Sequence, residues 1–368
     1  MRLAKQLTII LLSVGLIFYS NLSIAENSSF DQLWQQANLY ENSQGDYLAL
    51  SGRLHIDSAW FDSKKDKYND LSWRRFRFGL KSQLNNFTGA LEADLDFNND
   101  IGDWYNRLTD ANFAYKPNKD LTFTFLKHST GFTLDGRTSS KKLLTPQRNN
   151  LTNNLWFTAE YFSGFSAKGK FSDTLSYNTG VFSSDNSDEI GFTGASYFSL
   201  FSLSKLLKNN NYWDNAQFNF DYIYNDAHIN GNTASISSLY SFSGLIVKNN
   251  WGLSHDISYA QGALEQSNMW GFIFMPHYQQ TELIQWVFRY TYLASADNNG
   301  LTLGRYENKI ELGKGDKYQE LYAGMNLFLY QHKLKLQLGL QFADMQDKAN
   351  DGGEYQGWGL TFALRSYW

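Results

Sequence analysis

Two neighbouring stretches carry opposite charge at a spacing of two. In "WRRFRFGLKSQL", Arg75, Arg77 and Lys81 alternate with Phe76, Phe78 and Leu80, and Leu84 continues the apolar row. In "FTGALEADLDFN", Glu92, Asp94 and Asp96 alternate with Leu91, Ala93, Leu95 and Phe97. A two-residue period puts the charges on one face of a strand and the apolar groups on the other. With Asn85–Asn86 as a two-residue hairpin turn, Arg77 faces Asp94 and Arg75 faces Asp96. Facing charges of this kind neutralise each other and brace a wall, or they offer a charged surface to a passing solute. Further on, "HSTGFTLDGRTSSKKLLTPQRNNLTNN" holds Arg137, Lys141, Lys142 and Arg148 against one acid, Asp135. A positive loop is commonly a solvated tip; folded into a pore, it narrows the bore and focuses a positive field there. Groups for bond-making chemistry are not assembled in the same way. The chain has no Cys, so no thiol nucleophile or Cys-ligated metal is available. His55, His128, His228, His255, His277 and His332 are scattered, and no nucleophile elbow accompanies them. The chemistry in view is electrostatic guidance, so the expectation is no enzyme, no cofactor and no metal site.

Charges can line a pore only if strands carry them round it. Alternation and turn signals from Asp46 onward predict sixteen strands. They start near Asp46, Leu71, Phe87, Leu108, Leu121, Trp156, Thr174, Glu189, Ala216, Ser235, Trp251, Met269, Glu282, Tyr318, Lys333 and Tyr355. Most run for about ten residues, enough to cross a bilayer when tilted. Bacterial barrels alternate short periplasmic turns with longer external loops. The connections follow that rule. Long ones fall at 61–70, 99–107 and 128–155, and short ones at Asn85–Asn86 and 117–120. Two connections depart from it: 185–188 reads short for an external loop, and 205–215 reads long for a periplasmic turn. The expected fold is a closed, all-β, antiparallel transmembrane barrel of about sixteen strands, whose third external loop, 128–155, is either a solvated tip or folded inward.

One strand shows the facing most clearly. In "KLKLQLGLQFAD", Leu334, Leu336, Leu338, Leu340 and Phe342 share a face, and Lys335 lies on the other. Charge in hydrocarbon costs several kcal/mol, so Lys335 is assigned to the lumen. The last strand, "GWGLTFALRSYW", likewise places Trp358, Leu360, Phe362 and Leu364 outward and Arg365 inward. It pairs with the first strand, leaving no edge exposed. The composition fits: 62 of 368 residues are aromatic, only 3 are Pro, and the mean hydropathy is −0.45. Such a chain suits a barrel that is apolar outside and wet inside.

The start reads "MRLAKQLTIILLSVGLIFYSNLSIAENSS". Arg2 and Lys5, an apolar run from Leu7 to Tyr19, and Ser23-x-Ala25 make residues 1–25 a secretory signal peptide. Residues 26–45 show no alternation and are expected to form a periplasmic N-terminal arm, as a short helix or disordered. The barrel then spans 46–368. Without Arg2 and Lys5 the chain carries 30 basic and 36 acidic residues, a net charge of −6, and no nucleic-acid partner is expected.

The stretch "LTFTFLKHSTGFTLDGRTSSKKLLTPQRNNLTNNL" resembles the constriction-loop segment of phosphate-selective porins O and P. There, a pattern like Gly-x-Phe-Lys-x-Pro-Phe-x-Leu-(Asp/Glu) precedes Thr-Ser-Ser. Lys127, Phe132, Leu134, Asp135, Thr138, Ser139 and Ser140 match it; Ser129 stands where the pattern has Pro. "DANFAYKP" from Asp110 and the C-terminal block from Glu320 are also similar to that family. The resemblance implies a sixteen-stranded homotrimeric channel with an inward-folded third external loop, in the outer membrane of a Gram-negative bacterium and embedded in outer-membrane lipid. It also implies that basic residues guide small anionic solutes such as phosphate. Lys127 matches the motif's lysine, although counting from Leu121 puts it on the lipid side with Phe123 and Phe125. A β-bulge at Phe125–Leu126 would turn it into the pore. The expected pore-lining set is therefore Lys127, Arg137, Lys141, Lys142, Arg148, Arg75, Arg77, Lys81, Asp94, Lys335 and Arg365. Two other functions compete with an anion porin. A general diffusion porin would balance those cations with lumen acids, and a barrel enzyme would need a Ser–His–acid cluster at the membrane edge.

Overall fold

The computed structural model describes residues 31, 32, 34–155, 160–208, 211–297 and 300–368. The expected signal peptide lies outside the described residues, as do residues 26–30 of the arm and Trp156. Among the described residues, sixteen antiparallel strands close into a barrel. They are β2 (Tyr47–Ser63), β3 (Lys67–Leu84), β4 (Phe87–Leu95), β5 (Tyr105–Asn118), β6 (Leu121–Ser129), β7 (Tyr161–Ser172), β8 (Leu175–Ser183) and β9 (Tyr197–Lys208). The circuit continues through β10 (Asn215–Asn225), β11 (Ile236–Lys248), β12 (Trp251–Gly262), β13 (Met269–Gln279), β14 (Ile284–Ser295), β15 (Lys317–Tyr330), β16 (Leu334–Gln346) and β17 (Tyr355–Tyr367). Each strand pairs with the next, and β17 pairs with β2. The outward positions form an apolar band, in which Phe78, Leu91, Phe113, Phe165, Phe242, Phe274, Phe288, Leu340 and Phe362 are all exposed. Hydrocarbon is the solvent that such a band requires.

The alternation of turns and loops is closer to the rule at the two connections where the sequence departs from it, and is lost at one where the sequence kept it. The connection at 185–188 is part of a long loop, 184–196, because "EIGFTGAS" is not in a strand and β9 begins only at Tyr197. The connection at 205–215 shrinks to 209–214 because β9 continues to Lys208. In contrast, the first connection is not long. β2 and β3 stay paired out to Asp62↔Lys67, leaving residues 64–66 as the hairpin tip, and Lys67 Nζ lies 2.6 Å from Asp62.

The arm is not outside the sheet. Asn38–Glu41 forms a short strand, β1, that pairs with β2 at Tyr47–Ala49. β17 ends opposite Arg53, which would leave the backbone of β2 bare at its start; β1 fills that edge. The C-terminal residue is held there too. Trp368 exchanges both backbone hydrogen bonds with Gly52 at 3.2 Å. A Cβ at Gly52 would collide with the Trp368 indole and lie 2.8 Å from the Arg77 carbonyl, so only glycine fits beneath that ring. The Trp34 indole N–H donates to the Tyr367 carbonyl at 2.5 Å, which clasps arm to terminus.

The interior corrects one expectation. It is not uniformly wet. Phe132, Leu134, Leu151 and Leu155 from residues 130–155 pack on Ile223, Leu239, Ile273, Val287, Tyr318 and Tyr322 of the wall as one buried cluster. β13 and its neighbours are thus apolar on both faces towards the loop end, where the third long loop covers them.

Candidate functional site

The third loop leaves β6 through Gly131 and Thr133, whose φ angles are 66° and 62°. Glycine takes that conformation at little cost. Thr133 is held in it by its neighbours: its amide donates to Asp221 Oδ2 at 2.9 Å, and the Leu134 amide donates to Asp256 Oδ2 at 2.7 Å. The chain then makes a four-residue helix, α1 (Leu134–Arg137), and later α2 (Asn150–Leu155). Between them the loop is tied to strands round much of the wall. Arg53 and Arg75 both donate to Ser140 Oγ, at 2.8 and 3.0 Å. Arg289 donates to Thr145 Oγ1 at 3.0 Å, Arg365 to the Pro146 carbonyl at 3.0 Å, and Lys335 to the Leu143 carbonyl.

Most of the wall cations are paired. Arg77 makes a two-pronged bond to Asp94 at 2.8 and 3.0 Å, as the hairpin register requires, and Arg107 approaches the same carboxylate at 3.6 Å. Arg77 also donates to the Tyr161 hydroxyl. Glu92 sits between Lys81 at 3.3 Å and Arg53 at 3.9 Å. Arg365 pairs with Asp57, and Arg289 with Glu320 at 2.9 Å. Arg75 does not meet Asp96. β4 ends at Leu95, Asp96 turns to Asn98, and Arg75 lies instead 3.7 Å from Glu160.

Two of the loop cations are likewise neutralised, Arg137 by Asp221 and Arg148 by Glu160 at 3.1 Å. Burial raises the Glu160 carboxyl, but Arg75 and Arg148 together pull it below the ordinary carboxylate range. Lys142 is exposed. Lys141 is different. It has no carboxylate within ion-pair distance among the described residues, and its ammonium rests 4.8 Å from the centre of the Tyr367 ring. Burial, and then the charges of Arg53 and Lys81, lower it from 10.5 to about 7, against the pull of Glu92.

Lys127 departs from the expectation. The register runs without a shift through Phe125, Leu126 and Lys127 on both neighbouring strands, so there is no bulge, although Leu126 has a φ of 71°. Lys127 therefore keeps the parity of Phe125, which stacks on the exposed Phe113. The 184–196 loop covers it there. The ammonium donates to the carbonyls of Ser187, Asp188 and Glu189 at 3.1, 2.8 and 2.7 Å. Three carbonyls replace the water an outward ammonium would otherwise need.

A cavity of about 610 Å³ opens beside the third loop, against β5–β9. Six cations line it, Arg53, Lys119, Arg137, Arg148, Lys168 and Lys170, against three acids, Asp110, Asp120 and Glu160. Sequence reasoning missed Arg53, Lys168 and Glu160. Arg53 was readable, since Ser51, Arg53, His55 and Asp57 alternate with Leu50, Leu54 and Ile56. It also missed Arg74. A bulge between Trp73 and Arg75 relative to β2 lets Arg74 bond Gln147 of the loop at 3.2 Å while Arg75 reaches Ser140.

Comparison with known proteins bears on this barrel. The family described as phosphate-selective porin O and P matches residues 48–199. No curated protein matches the chain. Among solved structures, an anion-selective porin from Comamonas acidovorans superposes with a TM-score of 0.61 at 10% identity, covering 88% of this chain and 100% of that one. Salmonella typhi OmpF, in complex with daunomycin, gives 0.62 at 13% identity, covering 90% and 100%. OmpT of Vibrio cholerae, an outer membrane protein in its trimer form, gives 0.57 at 11% identity, covering 87% and 99%. At these identities the structural likeness establishes the barrel fold.

Proposed function

We propose that this chain, whose residues 48–199 match the phosphate-selective porin O and P family, is an outer-membrane porin that passes small anions such as phosphate by passive diffusion. The observation that carries the anion preference is local: Arg53 and Arg75 converge on one oxygen, Ser140 Oγ, beside the unpaired Lys141. A hydroxyl oxygen held by two guanidinium groups marks a place where an oxyanion is well solvated. The cationic excess of the adjacent cavity extends that field. In this reading the third loop is the constriction, and Lys141, Arg53 and Arg75 are its anion contacts. Lys81, Arg77, Asp94, Arg137, Arg148, Lys335 and Arg365 hold the wall and loop in place, and Lys142 adds to the field from the surface. No bond is made or broken, so the porin needs neither catalytic group nor cofactor. Residues 1–25 act as its export signal. Outer-membrane lipid surrounds the apolar band, and the assembly is a homotrimer, as the trimer form of the Vibrio cholerae protein supports.

A second reading is a general diffusion porin with little charge preference. The pairing of Arg77, Arg289 and Arg365 with carboxylates favours it. Liposome swelling separates the two. The anion reading expects faster entry of small anions than of neutral or cationic solutes of equal size. Equal rates for all three classes would leave only the general porin.

A further inference from the structure

The described residues of the seventh external loop, 296–297 and 300–316, fold back over the barrel mouth. Its base is closed by the exchange of backbone hydrogen bonds between Leu301 and Gly315 at 2.8 and 2.9 Å. From there it reaches two distant elements. Thr302 is held by Asn150 and Asn154 of α2, with Asn154 Oδ1 accepting from its amide at 2.8 Å. The Tyr306 hydroxyl donates to Asp57 on β2, and its ring packs 5.3 Å from Phe61 and 6.0 Å from Tyr68. The loop therefore spans from β14 and β15 to β2 and is tied to the constriction loop on the way.

Glu307 is the anomaly in this span. It is 3% exposed, and its carboxyl has a single side-chain partner, the Gln341 amide. Among the described residues no cation lies within ion-pair distance of it. The neighbouring Arg289 is committed to Glu320, which also accepts from Thr291 and Tyr318. The other groups that act on it are acids or phenols, Glu320 and Tyr318 on β15 and Tyr355 on β17. The charge of Asp135 of α1 acts on Arg289 as well. Of the loop's own cations, Arg305 and Lys309 are exposed, and the half-buried Lys314 lies beside Asp351 rather than Glu307. A buried carboxylate without a cation is costly, and the protonated form avoids that cost.

We propose that the seventh loop is a proton-operated cover, docked across the external mouth while Glu307 is protonated and released as it ionises. The inference rests on the porin reading above. Burial, and then the Glu320 carboxylate, raise Glu307 from 4.5 to about 7 in the docked loop. Released into water, the carboxyl returns to its ordinary value. The docked state then holds the proton more tightly, so acid favours docking. Docking weakens as pH rises from about 4.5 to about 7 and changes no further above that, because the docked carboxyl is then ionised too. The width of that window limits the effect to about 300-fold in the docking equilibrium.

Two readouts on the purified full barrel test this. Leu312 is exposed, and the chain has no Cys, so a spin label on Leu312→Cys reports the loop alone. The expected result is a label more mobile at pH 8 than at pH 5, with single-channel conductance higher at pH 8. In Glu307→Gln both stay at their pH 5 values throughout, because the amide mimics the protonated acid. Label mobility that is constant in the native sequence, or that responds to pH equally in Glu307→Gln, overturns the proposal. A label that responds while no conductance is seen at any pH upholds the loop movement and refutes the porin reading.

Discussion

Lys141→Arg should abolish a pH dependence of ion selectivity that the native chain shows near neutrality. The native ammonium is lowered to about 7 by burial and by Arg53 and Lys81. It is therefore about 90% charged at pH 6 and about 10% charged at pH 8. A unit charge about 6 Å from an ion in a water-filled lumen contributes about 0.7 kcal/mol, or roughly threefold in anion entry. Cation entry changes by a similar factor in the opposite direction, so the anion-to-cation permeability ratio should fall roughly fivefold to tenfold between pH 6 and pH 8. The assay is reversal potential across a tenfold KCl gradient, kept dilute because salt screens the effect. Arginine stays charged across that range, so Lys141→Arg should hold the pH 6 ratio at pH 8. Lys141→Gln should show the pH 8 ratio at both. A native ratio that does not move with pH, or an arginine variant that falls as steeply as the native chain, refutes the assignment of Lys141 to the constriction.

Asp94→Asn leaves Arg77 and Arg107 without their shared carboxylate, so anion preference should rise while stability falls by about 3 kcal/mol; reversal potential and the unfolding temperature in detergent read the two effects. Lys127→Met removes the donor that gathers three carbonyls of the 184–196 loop. Proteolysis of that loop should accelerate with no change in reversal potential, whereas a changed reversal potential would return Lys127 to the pore. Gly52→Val drives a side chain into the Trp368 ring, and overpacking of this kind costs about 1–3 kcal/mol, seen as a lower temperature for loss of the compact barrel on gels.

The lipid-facing half of the barrel was legible because hydrocarbon enforces alternation. "KLKLQLGLQFAD" and "WRRFRFGLKSQL" each name their own faces, and the Arg77–Asp94 pair follows from parity and one turn. The lumen was less legible. Its apolar cluster depends on which wall the third loop covers, and no local pattern in β13 distinguishes an inner apolar face covered by a loop from one open to water. Arg74 was hidden by a bulge, which breaks the rule used to assign faces. Lys127 shows the reverse case. Strict alternation put it outside, and the resemblance pulled it inward through a supposed bulge. The register keeps it outside because a loop from 60 residues further along supplies its oxygen ligands. Glu307 and its cover lie in a loop without periodicity, where only tertiary contact reveals burial.

The most direct test of the central claim is the sign of the zero-current potential for the native chain in a planar bilayer at pH 6 under a KCl gradient, repeated after adding phosphate. The account predicts a potential set by chloride, with the chloride current reduced as phosphate occupies the site between Arg53, Arg75 and Lys141. A potential near zero or set by potassium, with current indifferent to phosphate, would contradict it.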